Sequence, residues 1–129
     1  MSHADGPRGK LILLVEDDEP MARLVAEALC EEQGFQVMIL PDASLALSLV
    51  EAIPADLVLL DLNLPGMDGV QLQDLLRRDP ASSHIPILFV TANPEDGRLR
   101  DQPLDHILAK PFDLETLFQR VHELLPGAV

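Results

Sequence analysis

The chain is 129 residues long, with 47 % hydrophobic and 24 % charged residues and only 3 % aromatics, enough for one buried core and too little for two independent ones. Its 22 acidic against 9 basic residues leave a net charge of −13, which excludes a domain that itself grips a phosphate backbone, since that affinity comes from Lys and Arg displacing counterions. No apolar run approaches the roughly 20 residues that cross a bilayer, the start Met1 to Pro7 lacks a signal-peptide core, and the lone Cys30 excludes an internal disulfide. A cytoplasmic protein with no membrane or direct nucleic-acid contact is expected.

Residues 1–9, polar and carrying Gly6, Pro7 and Gly9, are expected to be a flexible lead-in, and residues 10–129 the folded domain. Leu11 to Val15 is a continuous apolar run, as in a parallel strand covered on both faces, and Glu16-Asp17-Asp18 follows it. From Pro20, the residues Met21, Leu24, Val25, Ala28 and Leu29 make the stripe of an amphipathic helix that Gly34 stops. Phe35 to Leu40 predicts a second strand, and Asp42 caps a helix through about Ala52, closed by Ile53-Pro54. Leu57 to Leu60 predicts a third strand, and Asp61 opens the turn that runs to Gly69. Asp68 then caps a helix that turns Leu72, Leu75 and Leu76 inward as far as Asp79-Pro80.

Pro86 to Val90 predicts the fourth strand, with Thr91 after it. Residues 93–103 are charged and broken by Pro94, Gly97 and Pro103, so only a short or frayed helix is expected there. His106 to Ala109 predicts the fifth strand and Lys110-Pro111 follows. Asp113 caps a last helix carrying Leu114, Leu117, Phe118, Val121, Leu124 and Leu125, closed by Pro126-Gly127. Packing on a sheet accounts for that stripe, so dimerisation is not inferred. Five strands alternating with five helices predict an α/β, doubly wound (βα)5 three-layer sandwich of flavodoxin-like order, its five-stranded parallel sheet running 2-1-3-4-5.

In such a sheet the carboxyl ends of the strands share one edge, and strands one and three are neighbours there. Glu16, Asp17, Asp61, Thr91 and Lys110 therefore converge on one site. Taken singly each has an ordinary reading: a helix-capping acid, a turn threonine, a solvated lysine. Crowded carboxylates either gain proton affinity or hold a divalent cation, and oxygen ligands with room for water and phosphate suit Mg²⁺. A strand-end aspartate beside such an ion is a plausible nucleophile toward phosphorus, with Lys110 as a cation and Thr91 as a hydrogen-bond donor to phosphoryl oxygens.

The segments LILLVEDDEP, LVLLDLNLPGMDG, PILFVTA and LAKPF, in this order and spacing, resemble the signature segments of the receiver domain of two-component response regulators over residues 10–125. The resemblance implies that Asp61 accepts a phosphoryl group from a phosphohistidine on a sensor histidine kinase or histidine phosphotransfer protein, and that the domain switches its hold on a downstream protein target. It implies Mg²⁺, with Mn²⁺ as a substitute, on Asp17, on Glu16 through water, on an Asp61 oxygen and on the Asn63 backbone carbonyl. It makes Thr91 and Lys110 the phosphate-sensing hydroxyl and lysine, Lys110-Pro111 a cis turn, and Asn63 and Asn93 the positions that tune water attack.

Two features depart from the family pattern. Ile107 stands where an aromatic or histidine side chain usually swings inward, and the stretch from Thr91 to Lys110 is short where the fourth helix normally lies. Output is therefore expected to run through residues 92–105 and the last helix. Two rivals remain: a receiver-like binding module that works without phosphorylation, and a Mg²⁺-dependent aspartyl phosphatase of haloacid dehalogenase type. Asp61-Leu62-Asn63 departs from the Asp-x-Asp of the latter. An FMN protein is disfavoured because Glu16-Asp17-Asp18-Glu19 would repel its phosphate, and His122-Glu123 lacks the second histidine of a zinc site.

Overall fold

The structure, a computed structural model, describes residues 9–125. The lead-in expected over residues 1–9 lies outside the described residues except for Gly9, as does the closure expected at Pro126-Gly127. Five parallel strands, β1 (Leu11–Val15), β2 (Gln36–Leu40), β3 (Leu57–Asp61), β4 (Ile87–Thr91) and β5 (Ile107–Ala109), form one sheet in the order β2-β1-β3-β4-β5. Register places Val15 beside Leu60 and Asp61 beside Val90, so the ends of β1, β3 and β4 reach the same edge.

The strands are apolar on both faces because both are covered. Along β1, Leu13 and Val15 point into one core, with Leu60, Leu72, Leu76, Phe89 and Ile107. Ile12 and Leu14 point into the other, with Leu59, Leu88, Val25, Leu117 and Val121. Helices α2 (Ala43–Leu49) and α3 (Gly69–Arg78) cover the first face, and α1 (Glu19–Gln33) and α4 (Leu114–Leu124) the second. Each buried Leu, Val or Ile contributes roughly 1.5–3 kcal/mol, and this two-sided burial holds the edge in place.

Aspartates start the helices. The Asp42, Asp68 and Asp113 side chains accept hydrogen bonds from the backbone N–H of Leu45, Gln71 and Thr116, as expected, and Asp18 does the same for Met21 in α1. Gly34 ends α1 at φ 78°, a left-handed conformation that suits glycine. The Lys110–Pro111 bond is cis, as the family resemblance implies.

The sequence reading is corrected in several places: His106, expected in the fifth strand, belongs to the turn before it, and α2 ends at Leu49 rather than near Ala52. Asp61 and Thr91 are the last residues of β3 and β4 rather than the first of the following turns, because both still pair across the sheet. Leu24, expected inward, is 61 % exposed: the buried line of α1 runs through Ala22, Val25 and Leu29, and adjacent helical residues point about 100° apart. The described residues hold four α-helices rather than five helices. Between β4 and β5 the chain forms only the 3-10 turns Gly97–Leu99 and Leu104–His106. Proline lacks an N–H and glycine resists helix, so Pro94, Gly97 and Pro103 leave no run long enough for an α-helix.

That segment is short, as expected, yet it is anchored rather than frayed. Leu99 is buried in the core beside Ile107, and Gln102 exchanges two amide hydrogen bonds with Gln73 of α3, at 2.8 and 3.1 Å.

Candidate functional site

Glu16 directly follows β1, and its N–H bonds the Leu40 carbonyl at the end of β2, which fixes its backbone to the sheet. Asp61 closes β3. Carboxylate oxygens of Glu16, Asp17 and Asp61 lie within 4.8 Å of one another; Glu16 and Asp61 are buried and Asp17 is exposed. Lys110 follows β5, and its N–H bonds the Thr91 carbonyl at 2.8 Å. From there Lys110 Nζ stands 3.1 Å from Glu16 Oε1 and 3.6 Å from Asp61 Oδ2. Each remaining oxygen of the two buried acids takes a backbone N–H: Asp18 N–H donates to Glu16 Oε2 at 3.1 Å and Asn63 N–H to Asp61 Oδ1 at 3.2 Å.

Below the acids the floor is apolar, with Leu14, Leu59, Val90, Met21 and Phe112 lining the hollow that Glu16 and Asp61 border. Low-polarity walls strengthen every charge interaction above them, and like charges about 4 Å apart repel by roughly 4 kcal/mol at the effective dielectric of a protein surface. Burial disfavours the charge on Lys110 and is the largest single influence on it. The Glu16 hydrogen bond and the Asp61 and Glu16 charges together outweigh it, so the ammonium is held above the ordinary lysine range. Three carboxylates and one ammonium leave a formal charge of −2. Oxygen donors and that residual charge fit a divalent cation such as Mg²⁺.

Thr91 and Asn63 lie at the same edge but are engaged elsewhere. The Thr91 hydroxyl, buried, accepts from the Asn93 N–H at 3.0 Å. The Asn63 side chain is exposed, and its Oδ1 accepts from Arg98 Nη2 at 2.9 Å. Arg98 also forks onto Asp96, with Nε 3.0 Å from Oδ1 and Nη2 2.8 Å from Oδ2, and its Nη1 is 3.7 Å from Asp68 Oδ2. Hydrogen bonds from the Arg98 side chain and backbone hold the Asp96 carboxyl down at about 2. Arg98 escaped the sequence reading because one arginine in a charged stretch carries no period or motif; only the spacing Asp96-x-Arg98 hinted at a local pair.

A three-layer α/β fold with an acid pocket, a threonine and a lysine at the carboxyl edge is the architecture of a receiver-type signalling domain. The sequence profile of the response regulator receiver domain matches residues 12–122, and the chain belongs to that family. It is 36 % identical over 120 residues to the DNA-binding dual master transcriptional regulator RpaA of Synechocystis, covering 88 % of this chain and 48 % of that protein. Among solved structures, a sensor protein from Polaromonas sp. JS666 superposes with a TM-score of 0.82 at 36 % identity, covering 94 % of this chain and 99 % of that one. The receiver domain of sensor histidine kinase PA1611 from Pseudomonas aeruginosa PAO1, solved with magnesium coordinated in its active-site cleft, superposes with a TM-score of 0.76 at 32 % identity, over 90 % of this chain and 97 % of that one.

The chain spans about half or less of the length of the curated relatives it matches. These include both sensor kinases and DNA-binding regulators. Receiver domains are signalling switches rather than turnover enzymes, and no described helix is long and apolar enough to cross a membrane.

Proposed function

We propose that residues 10–129 form a phosphoacceptor receiver domain in which Asp61 takes a phosphoryl group from a phosphohistidine on a sensor histidine kinase or a histidine phosphotransfer protein. The observation that carries this reading is Lys110 Nζ set between Glu16 and Asp61 within a three-acid cluster at the end of the central strands. In the transfer, an Asp61 Oδ attacks phosphorus, a P–O bond forms and the P–N bond breaks, and the electron pair stays with the imidazole nitrogen. Lys110 offers its charge to the transferred oxygens, and the Thr91 hydroxyl turns from Asn93 to donate to one of them.

Asp17, Asp61 and the Asn63 backbone carbonyl, with Glu16 through water, would hold Mg²⁺, or Mn²⁺ in its place, which would supply positive charge against that building on the phosphoryl group. The neutralisation matters because the acceptor is itself an anion in an acidic pocket. Loss of the group reverses the charge change: water attacks phosphorus, the bond from Asp61 to phosphorus breaks, and inorganic phosphate leaves. The switched surface acts on a downstream protein in the cytoplasm, through residues 92–105 and α4, since Ile107 is an aliphatic core residue with no ring to rotate.

Intact mass after incubation with acetyl phosphate tests this. One phosphoryl adduct is expected with Mg²⁺, none with chelator, and none in Asp61→Asn. Absence of the adduct together with absence of Mg²⁺ binding would favour a binding module that works without phosphorylation.

A further inference from the structure

Asn63 touches Asp61 through its backbone and Arg98 through its side chain. Arg98 in turn is held by Asp96 and lies beside Leu99, whose side chain is buried under the sheet. A guanidinium carries five donors in one plane, so it fixes several partners at once. The fork on Asp96 sets the plane, and Nη2 then presents a hydrogen to Asn63 Oδ1. Nη1, at 3.7 Å from Asp68 Oδ2, adds a longer ion pair, and Asn63 is the hydrogen-bonded contact by which Arg98 reaches the acceptor loop.

We propose that Arg98 is a positioning residue for the acceptor loop, acting through Asn63 to slow attack of water on phosphorylated Asp61. This rests on the phosphoacceptor reading above. Asn63 N–H bonds the Asp61 oxygen, and its exposed carboxamide stands at the solvent side of the acceptor loop. Clamped by Arg98, the carboxamide and the loop behind it keep one position. Released, the loop opens to water and the bond from Asp61 to phosphorus hydrolyses faster. A partner that draws Arg98 away from Asn63 would break the same contact, so binding at Arg98 shortens the life of the phosphoryl group.

The test follows loss of the adduct by intact mass after removal of acetyl phosphate, in the wild type, Arg98→Ala, Asn63→Ala and the double variant. Gln102→Ala serves as a control, because it loosens the same segment at its Gln73 anchor without touching Asn63. Loss is expected to quicken about threefold or more in Arg98→Ala, within the range of effect that one ordinary hydrogen bond at an exposed position carries. It should stay at the wild-type rate in Gln102→Ala. In the Asn63→Ala background, Arg98→Ala should add nothing, as a double-mutant cycle requires of a residue acting through its neighbour.

A wild-type rate in Arg98→Ala, an equal acceleration in Gln102→Ala, or a full additional effect of Arg98→Ala in the Asn63→Ala background would each overturn the proposal. No adduct on the wild type would instead overturn the phosphoacceptor reading beneath it. Thermal unfolding of each variant separates a folding defect from a positioning one: the effect counts for the proposal where Arg98→Ala melts as the wild type does, and against it where the acceleration tracks lost stability.

Discussion

Arg98 and Lys110 are the cations at the site, and they do different things. Lys110 faces the acids directly, where burial works against its charge and two carboxylates restore it. Arg98 faces away, and its grip is visible in Asp96, whose carboxyl is held at about 2 against an ordinary 3.8. A group whose folded value is lowered contributes stability that is present above its ordinary value and lost as pH falls through the lowered one. The Asp96–Arg98 contact is therefore intact above 3.8 and dissolves as the pH falls toward 2. A carbon-detected NMR titration should follow the Asp96 carboxyl to about 2 in the wild type and find it raised toward 3.8 in Arg98→Ala, though still below it because the backbone N–H of residue 98 continues to donate. An unmoved Asp96 in that variant would show that the fork is absent in solution.

Among elements, the junction of β3 with α3 is closely packed, and it holds Asp61. Gly69 opens α3 with its Cα against the strand end: a Cβ there would lie 3.1 Å from the Asp61 carbonyl oxygen, 3.2 Å from Leu62 Cα and 3.3 Å from Leu60 Cγ. Alanine ordinarily favours a helix over glycine by about 0.5–1 kcal/mol. Two of the three obstructing atoms are backbone and cannot turn away, so crowding of about 1–3 kcal/mol wins. Gly69→Ala is expected to lose about 1 kcal/mol in urea unfolding and to shift the amide resonances of residues 60–63. A stabilised variant would mean that α3 moves aside freely and does not set the position of Asp61.

How far each element could be read in advance follows from the kind of signal it leaves. The strands were legible because burial on both faces demands uninterrupted apolar runs, and the helix starts because an aspartate cap leaves a one-residue mark. Strand ends were misplaced by a residue at Asp61 and Thr91, where backbone pairing continues under a polar side chain. Leu24 misled because its spacing fits a stripe whose true centre lies on Ala22 and Val25. The gathering of Glu16, Asp17, Asp61 and Lys110 was predictable from strand order, which brings the ends of distant segments together. The turn of Thr91 toward Asn93 and the reach of Arg98 to Asn63 were not, since they depend on rotamers and on the path of a segment without regular structure.

For the whole molecule, a −13 charge and an acid pocket make the metal-free state electrostatically uncomfortable and set its response to cations. Any ligand that binds only the folded state stabilises it, by about 2.7 kcal/mol at a hundredfold excess over Kd. Mg²⁺ is therefore expected to raise Tm by several degrees in a saturable way, an effect that Na⁺ at equal ionic strength does not reproduce. Asp17→Asn should remove most of that shift while raising the metal-free Tm, because it relieves repulsion without opening a cavity. Equal Mg²⁺ shifts in the two proteins would move the ion away from the acid pocket.

The central claim is that Asp61 is the residue that carries the phosphoryl group. Borohydride reduces an acyl phosphate to the alcohol, releasing phosphate and leaving homoserine where the aspartate stood. Treatment after incubation with acetyl phosphate and Mg²⁺, followed by peptide mass mapping, should place homoserine at position 61 alone. Homoserine at Asp17 or elsewhere, or a phosphoryl adduct that borohydride leaves intact, would contradict the account.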